Sequence, residues 1–436
     1  MIIQLEYMKP YLDIEGMRRG FYTDKYFLNV QEILSTLTKE KNKDFTVGSI
    51  DSITSIGESI VEMQVFTRRP GRTIICGTNY ALGCLKYCTG YWMDQDFIDT
   101  SGELEVWAVN EGDTTIFNGD PSQITPVLKI RGRYKDFAIT ETLILGYLSR
   151  ASRIATNIYE LLVAANGKPI LFFPARYDLP EAQTVDGYAY KIAIDAYNRR
   201  HNKNVKPFIS TDAQGRLISL KGGGTIPHAV IACFLGDTVA TTLAFAHIIP
   251  SDVNRVALVD FDNDSVKTSK EVTREMFAQY LTHLKLGSKE ARKFKLYGVR
   301  LDTSSALRDA SVPDTGNPKV DNGVTPTLVR LVREGINSAW KEWGLPNDES
   351  LIAEHYCEDV KIIVSGGFNQ NKIRWFEEEK VPVDVYAVGS AAFDNHGPTV
   401  TDFTADVVRV KVDGKWVNMA KVGRRPNENS DLTRIW

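Results

Sequence analysis

The chain has 436 residues, more than one domain usually holds, so two domains sharing a large core are expected. Hydrophobic residues make up 43% and charged residues 25%, which is ordinary globular composition and excludes general disorder. A formal net charge of -3 gives no electrostatic reason to expect nucleic acid or an anionic membrane, so a small anionic ligand must be held by local groups.

The opening MIIQLEYMKPYLDIEGMRRG contains acidic residues and lacks the apolar run of a signal peptide, which predicts a soluble, cytoplasmic protein. Next come short β-type runs, ESIVEMQVFTRR, TIICGTNYAL and LEVWAVNEGDTTIF, punctuated by Gly, Pro and Asn. Cys84 and Cys88 stand at helical spacing. Without two further close ligands they read as buried thiols rather than a metal pair. The sparse, odd set of cysteines suits a reducing compartment.

From Lys135 the pattern changes to a long helical stretch, DFAITETLILGYLSRASRIATNIYELLVAA. Apolar strand-like runs then alternate with helical ones. The strands are KPILFFPAR, KPFIST, RVALVDFD, KLYGVRLDT, VKIIVSGGF and VDVYAVGS. The helices are predicted over residues 187–200, 226–249, 267–286, 325–343 and 369–379. Strands apolar on both faces, separated by helices, predict a parallel sheet, closed or nearly closed into a (β/α) barrel. The stretch 226–249 is the longest apolar one, yet it carries His228, Gly236, Asp237 and His247, so it reads as buried helix and not as a membrane span. The tail, TADVVRVKVDGKWVNMAKVG, predicts a hairpin turning at Asp-Gly and packing back on the first domain.

Polar and glycine residues end almost every barrel strand: Arg176, Thr211-Asp212, Asp260, Asp302, Ser365-Gly366-Gly367 and Gly389-Ser390. In a parallel barrel these ends share the face that carries the active site. Glycine loops late in such a barrel offer bare N–H groups to a phosphate, although turn glycines would look the same. KGGGTIPHAVIACF places Thr225 as a helix cap and His228 in the first turn, a position that favours neutral imidazole. Gly222, Gly223 and Gly224 would leave amides open for oxyanions. That stretch alone supports a phosphoryl-accepting histidine and a packed structural one equally. Asp260, Asp262, Asp264 and Glu271 imitate a Ca²⁺ loop, but Ser265 replaces the turn glycine and a strand precedes it. These carboxylates read better as acceptors for ribose hydroxyls or as ligands for Mg²⁺.

Taken together, FYTDKYF, GGGTIPHA, GVRLDTSS and IIVSGGFN with VYAVGS resemble, in order, the motifs of the nicotinate phosphoribosyltransferase family, of the type II phosphoribosyltransferases. The resemblance implies an α/β fold: an incomplete (β/α) barrel, expected over residues 135–399, plus an α/β domain from both chain ends, residues 1–134 with 400–436. It implies a homodimer with sites shared between subunits, ATP and Mg²⁺ as cofactors, and phosphoribosyl pyrophosphate as co-substrate. By position, His228 matches the histidine that ATP phosphorylates, and Tyr22 the aromatic that stacks on the pyridine ring from the neighbouring subunit. Arg176 matches an arginine facing the anionic substrates, with Thr225 and Asp260 beside them. Ser365, Gly366, Gly367, Gly389 and Ser390 would hold the 5′-phosphate, and Asp302 the ribose hydroxyls or, with Asp260, Mg²⁺. The chain reads Asp302-Thr303-Ser304-Ser305 where many members have Asp-Ser-Gly-Asp, at a place where substrate choice would be set. The alternatives are a nicotinamide or quinolinate enzyme of the same fold, or a non-catalytic nucleotide- or phosphate-binding barrel. A quinolinate enzyme would have no use for His228, and a non-catalytic barrel none for His228 or Asp302.

Overall fold

The structure, a computed structural model, describes residues 5–39 and 56–436. The first four residues of the segment read against a signal peptide lie outside it, as do residues 40–55 of the expected first domain. The chain divides into two compact units: Met1–Tyr159, Ala189–Ala196 and Asp394–Trp436 form one, and Glu160–Tyr188 and Tyr197–Phe393 the other.

The first unit is built on an antiparallel sheet whose strands run, in spatial order, Lys415–Asn418, Phe403–Val412, Ile60–Thr67, Leu128–Arg133, Glu105–Ala108 and Thr433–Arg434. The tail therefore pairs with the first long strand, Val61 opposite Val410. Its hairpin turns at Asp413 (φ 48°) and Gly414 (φ 78°), the two positive φ values that a type I′ turn demands. Glu62 is fully buried in this sheet and is held by Arg131 and Arg409 at 2.7 and 2.9 Å. TIICGTNYAL is not one strand. Gly71–Ile74 is extended, and a helix, Thr78–Cys88, begins after Gly77 at φ 94°. The buried Glu111 caps that helix by accepting from the amides of Gly77 and Asn79, a long-range contact that overrides the local β pattern. Cys84 and Cys88 lie buried on it, and burial raises both thiol pKa values, that of Cys88 to about 12.

In the second unit all six predicted strands form: β1 (Ile170–Phe172), β2 (Phe208–Ile209), β3 (Arg255–Leu258), β4 (Leu296–Leu301), β5 (Lys361–Val364) and β6 (Val385–Val388). Every pairing is parallel, in the order β3-β4-β5-β6-β1-β2. Strands β2 and β3, neighbours in sequence, are thus the two outer strands of a curled sheet, and the barrel is incomplete. Branched apolar residues line these strands because both faces are covered; Leu171, Val256, Ile363, Val385 and Ala387 pack in one core cluster.

The α-helices of six or more residues that follow β1 are α1 (Gln183–His201), α2 (His228–Cys233), α3 (Thr238–Ile248), α4 (Ser265–Lys285), α5 (Pro326–Ala339), α6 (Asn347–Asp359) and α7 (Gln370–Glu378). Residues 226–249 are two helices, not one. Leu235 (φ 57°) and Gly236 (φ 91°) reverse the chain, and the side chain of Asp237 caps α3 by accepting from Ala240 N. Helix α6 has no counterpart among the expected elements; its acidic, weakly amphipathic sequence hides it. Among the described residues no helix is long and apolar enough to cross a membrane.

Candidate active site

The C-terminal ends of β1, β3, β4, β5 and β6 deliver Arg176, Asp260, Asp302, Ser365 with Gly366 and Gly367, and Gly389 with Ser390, as strand polarity requires. Three side-chain groupings arise from them. In the first, His228 Nε2 lies 3.1 Å from both oxygens of Asp260. The Asp260 carboxylate is only 7% exposed while the imidazole is 44% exposed, so a buried acid orients a ring that solvent can reach. An ionised carboxylate can only accept, so this bond puts a proton on Nε2 and, in the neutral ring, leaves the lone pair on Nδ1. Burial raises the pKa of Asp260, against the pull of His228; Asp302 adds to the rise.

The second grouping corrects the expected cap. Helix α2 begins at His228 with the extended Pro227 as its N-cap, which leaves Thr225 two residues before the capping position. The Thr225 hydroxyl instead accepts from Arg300 Nη1 at 2.8 Å. Two of the three glycine amides expected to be open are engaged: Gly222 N donates to Asp212 Oδ1 and Gly223 N to Ile209 O, each at 2.8 Å. Arg300 is the arginine of GVRLDTSS, a motif from which only Asp302 was expected to act. Its signal was there, one arginine inside the apolar strand LYGVRL. Burial lowers its pKa, and Asp302 and Asp260 oppose that from one side while Arg176 adds to it. Its Nε is buried without a hydrogen-bond partner.

The third grouping is the glycine loop. Ser365 Oγ donates to Asp302 Oδ1 at 2.7 Å and ties the ends of β4 and β5 together. Gly366 and Gly367 follow at φ 89° and 72°, values that side-chain-bearing residues avoid, and both are exposed. Gly389 lies against Tyr177: a Cβ there would come within 2.6 Å of the ring. Arg176 sits over the same ring, 5.4 Å from its centroid, and its charge reaches Asp302. Asp264, of the rejected Ca²⁺ pattern, caps α4 by accepting from Lys267 N. Among the described residues no three His, Cys, Asp or Glu side chains converge as a ready metal site. Tyr22 belongs to the first unit, 47% exposed, where its hydroxyl donates to Asp13 Oδ2 at 2.6 Å.

The incomplete parallel barrel thus carries acids, an arginine and a positive-φ glycine loop together at its strand ends. Residues 44–152 match the family described as quinolinate phosphoribosyl transferase, N-terminal domain. The nicotinate phosphoribosyltransferase pncB2 of Mycobacterium tuberculosis is 23% identical over 290 residues, 66% of this chain and 47% of its own length. The chain thus spans about half the length of the curated relatives it matches. The crystal structure of nicotinate-nucleotide pyrophosphorylase from Pyrococcus furiosus superimposes with a TM-score of 0.63 at 26% identity, over 95% of this chain and 80% of that one. A human nicotinic acid phosphoribosyltransferase is similar at 16% identity, with a TM-score of 0.49 over 81% of this chain and 71% of that one. The fold is that of the type II phosphoribosyltransferases.

Proposed function

We propose that the chain joins nicotinate to phosphoribosyl pyrophosphate, giving nicotinate mononucleotide and pyrophosphate, with ATP hydrolysis coupled through His228. The carrying observation is the His228–Asp260 pair, set at the strand ends that also hold Arg300, Asp302 and the Gly366-Gly367 loop. The name of the mycobacterial relative supports the same acceptor.

In this reading the ribosyl transition state is oxocarbenium-like, and the protein aligns the ring nitrogen and offsets charge rather than bonding to the sugar. Asp302, fixed by Ser365, accepts from ribose hydroxyls. Gly366, Gly367, Gly389 and Ser390 take the 5′-phosphate on backbone amides. Arg300, with Arg176 at the mouth, receives the pyridine carboxylate. Tyr22 of a second copy stacks on the pyridine ring, which makes the active form a homodimer. Asp260 and Asp302 are oxygen donors of the kind Mg²⁺ takes, and a bound ion supplies charge neutralisation for the leaving pyrophosphate. His228 Nδ1 attacks the γ-phosphorus of ATP; the phosphoryl group moves to nitrogen, ADP leaves, and water later releases phosphate.

A second reading, quinolinate as acceptor, is favoured by the match of residues 44–152. Steady-state assays with nicotinate, nicotinamide and quinolinate, each with and without ATP, separate the two. The proposal expects nicotinate to be best and ATP to stimulate it; ATP-independent turnover of quinolinate alone would replace it.

A further inference from the structure

Lys372 is a further side chain at this face. It sits in the first turn of α7, its amide capped by Asn369 Oδ1 at 3.0 Å. A cation in that position opposes the helix dipole, which favours negative charge there. The ammonium is not extended away from the fold. It turns back to donate to the Gly366 carbonyl at 3.2 Å and lies 4.3 Å from the centroid of the Phe368 ring and 5.9 Å from that of Phe376. Among the described residues no carboxylate lies within ion-pair distance of it. Burial alone lowers its pKa, to about 8. A half-buried ammonium with one carbonyl acceptor, two rings and no counter-ion is a costly arrangement that an arriving anion would relieve.

The neighbouring groups specify the anion. The carbonyl that Lys372 holds belongs to the first glycine of the positive-φ pair, and no atom lies within 4 Å of the Cβ position of Gly367. Asp302 Oδ1 approaches the same Gly366, 3.7 Å from where its Cβ would be. One glycine therefore has a cation bound to its carbonyl and a hydroxyl acceptor close by. A sugar phosphate has the matching order of groups: a dianionic phosphate next to a ring of hydroxyls. Pyrophosphate has only the first.

We propose that Lys372 is the cationic member of the phosphate cradle, binding the 5′-phosphate of the ribosyl donor together with the amides of Gly366 and Gly367. The assignment rests on the phosphoribosyl reading above. A purely structural lysine would shape the Gly366 turn through its carbonyl and nothing more.

Calorimetric titration of the full chain with ribose 5-phosphate, and separately with pyrophosphate, tests this. Loss of a charge-assisted bond should weaken ribose 5-phosphate about tenfold in Lys372→Met. Pyrophosphate should be nearly unaffected, and Lys372→Arg should recover most of the loss. Should Lys372→Met fail to fold by circular dichroism, Lys372→Gln, which keeps a donor for the Gly366 carbonyl, serves in its place. Unchanged affinity for ribose 5-phosphate, equal loss in the Arg variant, loss confined to pyrophosphate, or no binding of ribose 5-phosphate to the wild type would each overturn it. Wild-type binding of ribose 5-phosphate that depends on Lys372, without phosphoribosyl transfer to any pyridine, would instead remove the enzymatic reading and leave this site standing.

Discussion

His228 Nε2 is equidistant, at 3.1 Å, from the two carboxylate oxygens of Asp260. The symmetry matters because it fixes the proton on Nε2 and directs the other nitrogen to chemistry. Asp260→Asn keeps the shape and removes the charge that selects this tautomer. We expect ATP-stimulated turnover to fall by about 10²-fold, with slow ATP-independent transfer retained. Initial rates with and without ATP check this; full stimulation in the variant would exclude an orienting role. The same variant should melt higher than wild type at pH 7. Burial raises the folded pKa of Asp260, so its contribution to stability is greatest below its unfolded pKa and is lost as pH rises through the folded one. The advantage of the variant should shrink as pH falls through the raised folded pKa and be gone below about 4, the ordinary aspartate range.

Substrate choice should divide between two guanidinium groups. Arg176 is exposed and rests on Tyr177, whereas Arg300 is largely buried and tied to Thr225. A charge pair is worth more where water is scarce. Arg176→Ala should weaken the preference for nicotinate over nicotinamide, and Arg300→Lys, which loses the planar fork, should weaken it further, by about tenfold or more in kcat/KM for nicotinate. Ratios of kcat/KM for the two acceptors decide; a larger effect at Arg176 would reverse the ranking.

Gly389→Val is expected to raise KM for phosphoribosyl pyrophosphate more than KM for nicotinate while the fold survives. The added carbons meet the Tyr177 ring first, 2.6 Å from the Cβ position, and this ring is half exposed and free to yield. Its displacement shifts Arg176 as well, so nicotinate should feel a smaller secondary effect. Equal changes in both KM values would mean that Gly389 spaces Tyr177 and does not hold a phosphate.

The barrel was legible because parallel strands covered on both faces leave an apolar signature, and because strand polarity alone collects Asp260, Asp302, Ser365 and Gly389 on one face. What escaped was set by partners remote in sequence. Glu111 caps a helix 33 residues away and so turns TIICGTNYAL from strand into strand plus helix. Arg300 claims the Thr225 hydroxyl that local reasoning assigned to a cap. Lys372 looked like any first-turn surface residue, since nothing nearby in the sequence says that its side chain folds back over Phe368. The break at Leu235-Gly236-Asp237 was readable, because Gly followed by a capping Asp is a stop and a restart, but the apolar run on either side masked it.

The decisive prediction concerns the imidazole itself. If His228 carries the phosphoryl group, incubation with γ-labelled ATP should leave acid-labile, base-stable label on the wild type and none on His228→Ala. With Nε2 committed to Asp260, the phosphorus should sit on Nδ1, and the chemical shift in ³¹P NMR of the denatured adduct distinguishes the two nitrogens. His228→Ala should also lose stimulation by ATP yet keep slow transfer, because the sugar chemistry does not use the imidazole covalently. A histidine that merely packs at the start of α2 behaves otherwise: its removal lowers the melting temperature and leaves the ATP response of the folded fraction intact. Absence of label from the wild type, or full ATP stimulation of His228→Ala, would place the coupling elsewhere. Label on Nε2 would mean that the Asp260 bond breaks during the cycle, so that the pair orients the resting ring and not the reacting one.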